Sequence, residues 1–207
     1  MSTWYSAGIS FYSKDKELLS DFKQRLDNVY DKNRKFILEE VNLEVLVDAF
    51  YPAQRKISFD CNGTFIIAGE IETIEKYFYF RLWTTTVRGL KLQIFASIIK
   101  DFYPGIKMAY VSDEPVYFKW DEDKLFYPFR YYADIYVPAK SGDFVQTDDH
   151  EFMTVDEIKA WISENTNCPF RQDSTLSDLE DSVQDWIDDD ESYCILEEFM
   201  DVRPEDV

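Results

Sequence analysis

The sequence predicts an α+β protein whose last third is an acidic helical segment, and two observations lead to this prediction. The first is periodicity. Segments with apolar residues at every second position alternate with segments of helical period, in the order β-α-(α)-β-β-α-β. This is the order of a ferredoxin-like antiparallel sheet with helices on one face.

The second observation is the distribution of charge. Residues 1–140 contain 20 acidic and 19 basic side chains, whereas residues 141–207 contain 21 acidic and 3 basic ones. We therefore divide the chain into a ferredoxin-like α+β body, residues 1–140, and an acidic helical C-terminal region, residues 141–207. The second region is expected to be packed on the body or linked to it.

The first elements of the body follow from local patterns. Apolar residues alternate from Trp4 to Tyr12, which predicts a strand. Residues 14–29 have the spacing of an amphipathic helix, and a second helix is predicted within residues 38–50, ending before Pro52.

A turn signal, Asn62-Gly63, predicts a hairpin between strands at residues 57–61 and 64–68. Aromatic and β-branched residues predict a strand over residues 77–87, and helical spacing returns over residues 90–102. The remaining predicted strands of the sheet are residues 106–111, 116–120 and 126–137.

The acidic region has helix-start signals of its own. Thr154 and Glu157 have the spacing of a capping box, and Ser177 and Glu180 repeat that spacing. A last short helix is predicted over residues 195–200. Because these helices have apolar seams, we expect the region to be folded, with its acidic side chains on the outward faces.

Met1-Ser2-Thr3-Trp4 at the start of the body and Phe80-Arg81-Leu82-Trp83 within it resemble segments of the YubB-type family of ferredoxin-like proteins. Met1-Ser2-Thr3-Trp4, leading into a strand and a helix, resembles the start of that family. Phe80-Arg81-Leu82-Trp83, followed by a helix and Phe102-Tyr103-Pro104-Gly105-Ile106, is similar to its strand–helix–strand segment. The resemblance covers residues 1–115 and departs from the family pattern at Thr84-Thr85-Thr86. It implies an accessory protein of a plasmid or phage, and it supplies no catalytic residues.

Composition excludes several classes of protein. With 45% hydrophobic residues the chain can bury a core, which excludes wholesale disorder. No apolar run approaches the ~20 residues that span a bilayer, and no secretory signal is visible. The three cysteines, Cys61, Cys168 and Cys194, have no metal-type spacing, and we expect reduced thiols. We predict a cytoplasmic protein with no cofactor and no membrane partner.

Two motifs are candidates for chemistry. His150 is flanked by carboxylates, but no second histidine or cysteine lies at ligand spacing, so we interpret it as a solvated loop residue. The run Asp188-Asp189-Asp190-Glu191 lacks the glycine-centred spacing of an EF-hand loop, and we interpret it as an acidic helix end. Signatures of nucleotide-binding proteins and hydrolases are absent from the sequence. We therefore predict no catalytic residue, no metal site and no enzymatic activity.

Nine of the twenty residues 117–136 are aromatic. Most of these rings are expected to pack in the core, since alternation turns about half of a strand inward. The alternative is a single-stranded nucleic-acid-binding module that stacks bases on an aromatic sheet surface, as RNA-binding sheets do. The residues for that alternative are Trp120, Tyr127 and Tyr131.

The main functional candidate is the acidic surface itself. Asp178, Asp181, Asp185 and Asp188 have i, i+3/i+4 spacing and would form a row on one helix face, continued by Asp189, Asp190 and Glu191. Three interpretations stay open: a solubilising face, a docking surface for a basic protein, and an imitation of DNA phosphates. We favour a mobile-element protein that binds and inhibits a basic nucleic-acid-handling protein, such as a host defence nuclease. This hypothesis places direct nucleic-acid binding second to a protein partner.

Overall fold

The structure, a computed structural model, describes residues 4–33, 41–52, 62–112, 117–127, 130–147 and 152–207. The chain divides into two units. Unit 1 comprises Met1–Pro128 and Met200–Val207, and unit 2 comprises Phe129–Phe199. Unit 2 is therefore an insertion in unit 1, rather than a tail that begins at residue 141 as the sequence predicted.

The helices and strands of both units are numbered in chain order. They are β1 (Trp4–Ser13), α1 (Lys16–Asn33), β2 (Val41–Asn42), α2 (Glu44–Phe50), β3 (Gly63–Ile74), β4 (Tyr77–Val87), α3 (Gln93–Phe102), β5 (Lys107–Ser112), β6 (Phe118–Trp120), β7 (Tyr131–Pro138), β8 (Phe144–Gln146), β9 (Phe152–Met153), α4 (Val155–Asn165), α5 (Leu176–Trp186), β10 (Tyr193–Glu198) and β11 (Met200–Asp201). A 3-10 turn, Pro204–Asp206, follows β11.

Unit 1 contains a seven-stranded sheet in the order β11-β6-β5-β1-β4-β3-β2. The central strand β1 pairs antiparallel with β4 along its whole length, from Trp4 opposite Val87 to Ser13 opposite Phe78, and antiparallel with β5 on its other side. Among the strands described for this sheet, only the short β6–β11 pair is parallel. The mixed helices and antiparallel strands confirm the predicted α+β class.

The helices of unit 1 pack on one face of this sheet because β1 and β4 turn alternate apolar side chains toward them. Phe11 is fully buried there, with its ring 5.2 Å from that of Phe22 on α1, 5.3 Å from Phe80 on β4 and 5.8 Å from Phe95 on α3. This aromatic cluster joins the sheet to two helices.

The opposite face of the sheet is covered at one end by the loop after β6. Asp121 closes this loop, since its Oδ2 accepts hydrogen bonds from the amides of Phe126 (2.6 Å) and Tyr127 (2.9 Å). The Phe126 ring then packs 5.3 Å from Tyr12 and 5.1 Å from Tyr79. The end of the sheet toward Trp4 has no helix over it among the described residues.

Unit 2 contains a second sheet, β10-β7-β8, with β9 also paired to β7. Its core gathers apolar residues from β7, β10, α4 and α5, including Ile135, Leu196, Ile162 and Leu179. Two predictions were wrong here. The strand that the structure describes within the predicted residues 126–137 is β7, and it does not extend the sheet of the body because it pairs with β8, β9 and β10. Residues 195–200 are not helical, because β10 pairs with β7 and β11 pairs with β6.

The capping predictions had different outcomes. Thr154 and Glu157 form the predicted capping box at the start of α4. At α5 the box is formed by Thr175 and Asp178 rather than by Ser177 and Glu180, because the helix begins at Leu176.

Several predictions lie outside the described residues: His150, Cys61, the strand at residues 57–61 and residues 38–40 of the second helix. No helix in the described ranges is both long enough and apolar enough to cross a membrane.

Candidate functional site

The acidic residues of unit 2 are arranged mainly around α5. Unit 2 contains 19 acidic and 4 basic residues, and thus −15 of the net charge of −19. Leu179 and Val183 of α5 are buried in the core of the unit. The helical period then leaves Asp178, Asp181 and Asp185 exposed on the other side.

Asp178 has a structural role in addition to its charge. Its amide donates to Thr175 Oγ1 (3.3 Å), while its Oδ2 accepts from the Thr175 amide (2.9 Å) and hydroxyl (2.8 Å). These hydrogen bonds, the amide bond first, lower the pKa of the Asp178 carboxyl below its usual 3.8. Asp178 therefore fixes the start of α5 by accepting two hydrogen bonds.

The predicted row of four aspartates is shorter than expected. Asp178, Asp181 and Asp185 lie on α5, but the helix ends at Trp186 and Asp188 lies beyond its C-cap, Ile187. Along the helix axis the three carboxylates are ~4.5 and ~6 Å apart. Duplex DNA carries one charge per ~1.7 Å of axis and one per ~3.4 Å on each strand. The row on α5 is thus less dense in charge than either.

The turn after α5 adds charge at its end. Asp189 Oδ1 accepts hydrogen bonds from the amides of Glu191 (2.9 Å) and Ser192 (2.6 Å), and its Oδ2 accepts from the Ser192 hydroxyl (2.7 Å). Asp189 therefore holds this turn together, and the pKa of its carboxyl is lowered by those bonds, the one from the Ser192 side chain first. Asp188, Asp190 and Glu191 are exposed around it.

A shallow cleft of about 600 Å³ runs along the acidic side of α5. The loop before the helix lines its other side, with Phe170 and Arg171 among the lining residues. Arg171 is already paired with Asp173, through Nε to Oδ1 (3.1 Å) and Nη2 to Oδ2 (3.0 Å). This pair leaves the negative charge of Asp181 and Asp185 uncompensated.

The three aromatic residues predicted to stack bases do not form one surface. Trp120 packs against the core on the helix side of the unit 1 sheet, with the Arg203 guanidinium 5.5 Å from its ring. Tyr127 packs with the cluster on the opposite face, where its hydroxyl lies 3.5 Å from Ser10 Oγ. Tyr131 belongs to unit 2 and packs against that unit's core.

A different aromatic surface lies on the helix-free face of unit 1, and sequence reasoning missed it. Trp83 on β4 and Trp4 on β1 are 53% and 59% exposed. Trp83 lies opposite Gly8 in the β1–β4 register, and its ring rests on that glycine. The sequence places the tryptophan and the glycine in two predicted strands. Their contact can be inferred only once the pairing register of those two strands is known.

Other chemistry is limited in the described part of the chain. No group of three or more His, Cys, Asp or Glu side chains there is placed to hold a metal ion. Cys168 and Cys194 are buried in the core of unit 2, and burial raises the pKa of their thiols to about 11 and about 12. Both therefore stay protonated at neutral pH and are poor nucleophiles.

Comparison of the chain with protein-family models, with curated proteins and with solved structures finds no match.

Proposed function

We propose that this protein is a non-enzymatic interaction protein that binds a basic, nucleic-acid-handling protein through α5 and the turn after it. The observation that carries the proposal is that the carboxylates of Asp181, Asp185 and Asp188 are exposed and their charge is not neutralised by a described residue. All three are exposed, and none of them forms an ion pair or a hydrogen bond with another described residue. A row of uncompensated carboxylates on a helix fixed by buried apolar residues is a surface that a cationic partner would neutralise.

The negative charge of this row of aspartates affects how unit 2 associates with a basic protein. Like charges within unit 2 repel each other and reduce the stability of the folded state, and a basic partner relieves this repulsion. The same field raises the rate of encounter with a positively charged surface and lowers the affinity for anionic ones. These effects favour a docking surface over a coat that only improves solubility.

The spacing of the charges favours docking over a full imitation of DNA. The row on α5 is less dense than one DNA strand, so α5 alone would match only part of a nucleic-acid-binding groove. Asp188, Asp190 and Glu191 increase the density at one end. We therefore propose duplex mimicry as a special case, in which the partner uses its DNA-binding surface for both ligands.

The fold and origin of the protein belong to the same proposal. The strand order β5-β1-β4-β3, with every adjacent pair antiparallel and with α1 and α3 in the two crossovers, supports a ferredoxin-like body in unit 1. The resemblance to YubB-type proteins is the basis for proposing an origin in a plasmid or phage and a host defence nuclease as the target.

The test is capture of partners by the full chain and by a neutralised variant. Asp181→Asn, Asp185→Asn and Asp188→Asn are changed together, whereas Asp178 and Asp189 are kept because they hold the helix start and the turn. A basic protein captured from bacterial lysate is then purified, and its binding is measured by calorimetry. We expect the triple variant to bind about tenfold more weakly, as the loss of three exposed ion pairs predicts.

The matched control places the same change in charge on unit 1. Glu17→Gln, Glu44→Gln and Asp48→Asn neutralise three exposed acids there, and their affinity for the partner should stay unchanged. If both triple variants lose affinity equally, the effect is one of net charge and the proposed surface is wrong. Displacement of the partner by duplex DNA supports mimicry, whereas a complex indifferent to DNA leaves docking without mimicry.

A further inference from the structure

The end of the unit 1 sheet toward Trp4 presents aromatic, apolar and hydroxyl side chains on its helix-free face. Strand alternation places Trp4 and Ser6 of β1, Trp83 and Thr85 of β4, and Ile66 of β3 on this face. We call these five residues the tryptophan face. All of them are at least partly accessible to solvent, because the loop after β6 covers only the other end of the sheet.

Gly8 determines how the Trp83 ring lies. A Cβ atom at Gly8 would be 3.0, 3.0 and 3.4 Å from three consecutive atoms of the six-membered ring. Near-equal distances of this kind fit an approach to the flat face of the ring, since an edge-on approach would leave the third atom much farther away. One face of the indole thus packs on the backbone of β1. The other face is directed outward, and the side chain is 53% exposed.

Cationic residues lie at both ends of the tryptophan face along β4. Arg81 lies two residues before Trp83 on the same face, ~7 Å along the strand, with its guanidinium 5.6 Å from the centre of the Tyr79 ring. Arg88 directly follows Val87, which lies opposite Trp4. Both arginines are exposed, and neither is in an ion pair with a described residue. Two acids of the same face are engaged elsewhere, because Glu72 accepts a hydrogen bond from the Tyr79 hydroxyl and Asp201 lies 3.9 Å from Lys119.

We propose that the tryptophan face binds single-stranded nucleic acid, with one base stacked on Trp83 and with phosphates near Arg81 at one end of the face and Arg88 at the other. Flat aromatic faces beside cations are how sequence-tolerant single-strand binders combine stacking with charge. A duplex does not fit this site, since its bases are already stacked on each other. Trp4, ~14 Å away along the strands, would provide a second contact for the same short segment.

This inference is independent of the proposed function, which rests on α5 in unit 2. The net charge had favoured a protein partner over nucleic acid, but unit 1 carries only −4 of the −19. Repulsion from exposed charges farther away than ~8 Å is largely screened at physiological ionic strength. We therefore expect modest affinity that is strongest at low salt.

The experiment is a fluorescence anisotropy titration of labelled oligothymidine and oligouridine with the full chain at low salt. Oligonucleotides of about a dozen nucleotides fit the site sizes of single-strand binders. Trp83→Ala should weaken binding by about fivefold or more, the loss expected for one stacked base, while Trp83→Phe should retain most of it. Gly8→Ala should also weaken binding, because its methyl group displaces the ring. Arg81→Gln should reduce the salt dependence by about one counterion.

A matched control variant tests whether the oligonucleotide binds at the tryptophan face. Phe144→Ala removes a ring of unit 2 that is 44% exposed, and it should leave affinity unchanged. Each variant is first checked by thermal unfolding. Absence of binding to both oligonucleotides, or binding that Trp83→Ala does not alter, overturns the proposal. A dimer in light scattering that Trp83→Ala abolishes also overturns it, since the face then binds a second copy of the chain.

Discussion

The two units differ in how they are held together and in how they use charge. In unit 1, aromatic rings from a sheet and three helices pack together in the core. The ring of Phe11 alone contacts three other aromatic rings. The described core of unit 2 is smaller and aliphatic, with residues such as Ile135, Ile162, Leu179 and Val183. Unit 2 nevertheless carries −15 of the net charge.

Acidic residues have two separate roles in unit 2: some accept structural hydrogen bonds, and others only carry charge at the surface. Glu157, Asp178 and Asp189 accept hydrogen bonds that fix helix starts and a turn, whereas Asp181 and Asp185 only present charge. In unit 1 the stability comes from packing, and charge is nearly balanced. A substitution that removes charge is thus informative about binding only where the acid has no structural role.

The largest expected effect is in the aromatic core of unit 1. Phe11→Ala should lower the free energy of unfolding of unit 1 by about 3–5 kcal/mol, because it removes a fully buried ring with three aromatic neighbours. Urea unfolding measures the loss, and hydrogen exchange should accelerate in β1, β4 and β5. The exposed-ring control, Phe144→Ala, should cost far less. A loss below about 1 kcal/mol would contradict the packing described for Phe11.

The matching change in unit 2 is Leu179→Ala, which we expect to cost about 2–5 kcal/mol. Leu179 is fully buried between α5 and the second sheet. Hydrogen exchange should accelerate in α5, β7 and β10 while β1 and β4 keep their protection. Uniform loss of protection along the whole chain would mean that the two units unfold as one, and the division at Phe129 and Phe199 would have no thermodynamic meaning.

A smaller effect is expected at the helix starts. Thr175→Ala should cost about 1 kcal/mol, since it removes the hydroxyl that caps α5, and Thr175→Ser should restore most of it. The same change should move the pKa of Asp178 back toward its usual 3.8, because the hydroxyl no longer donates to the carboxylate. Carboxyl titration by NMR measures this shift. An unchanged pKa would assign the lowering to the Thr175 amide alone.

The pH dependence follows from the direction of these shifts. The pKa of Glu157 is lowered below 4.5, and that of Asp178 below 3.8, mainly by amide hydrogen bonds. The carboxylates therefore bind protons less readily in the folded state than in the unfolded state. Their contribution to the free energy of unfolding is complete at pH values above the usual pKa values. It is lost as the pH falls through the lower pKa values of the folded state. Stability of unit 2 should decline below about pH 4.5, and less steeply in a Thr154→Ala, Thr175→Ala variant.

Sequence patterns predicted the elements with a strong local signal well. The bounds of β4 were predicted as residues 77–87, because nearly all residues there are aromatic or β-branched. The capping box at Thr154 is local and was also predicted. By contrast, Ile195, Leu196, Phe199 and Met200 have a spacing that fits a helix. Ile195 and Leu196 are extended because β10 pairs with β7 about 60 residues earlier, and Met200 is extended because β11 pairs with β6. No local pattern contains these contacts.

For the candidate sites, too, local sequence patterns predicted some features, whereas others depend on contacts that those patterns do not contain. The acidic surface was predictable from composition, and the exposure of Asp181 and Asp185 follows from helical period alone. The structural roles of Asp178 and Asp189 were not predictable, because they depend on where α5 begins and on the turn at Ser192. The contact between Trp83 and Gly8 requires the β1–β4 register, which pairs residues 75 positions apart.

The smallest expected effect concerns the outer edge of the unit 2 sheet. Gln184 Nε2 donates to the Cys194 carbonyl (3.0 Å), and Glu180 Oε1 accepts from the Leu196 amide (3.2 Å). Two side chains of α5 therefore occupy backbone groups of β10 that face away from β7, and edge strands left open tend to pair with other chains. Gln184→Ala should cost about 0.5 kcal/mol, the lower end of the range for one hydrogen bond because the bond is only partly buried, and Glu180→Ala a similar amount.

Amide exchange and light scattering distinguish this role of α5 from a purely electrostatic one. Glu180→Ala should accelerate exchange at Leu196 and increase association at high protein concentration, whereas Asp181→Ala, which removes the same charge one residue later, should do neither. If both variants associate equally, the loss of negative charge is sufficient to explain it. If only Glu180→Ala associates, α5 protects the edge of β10 with one side and presents its charged row with the other.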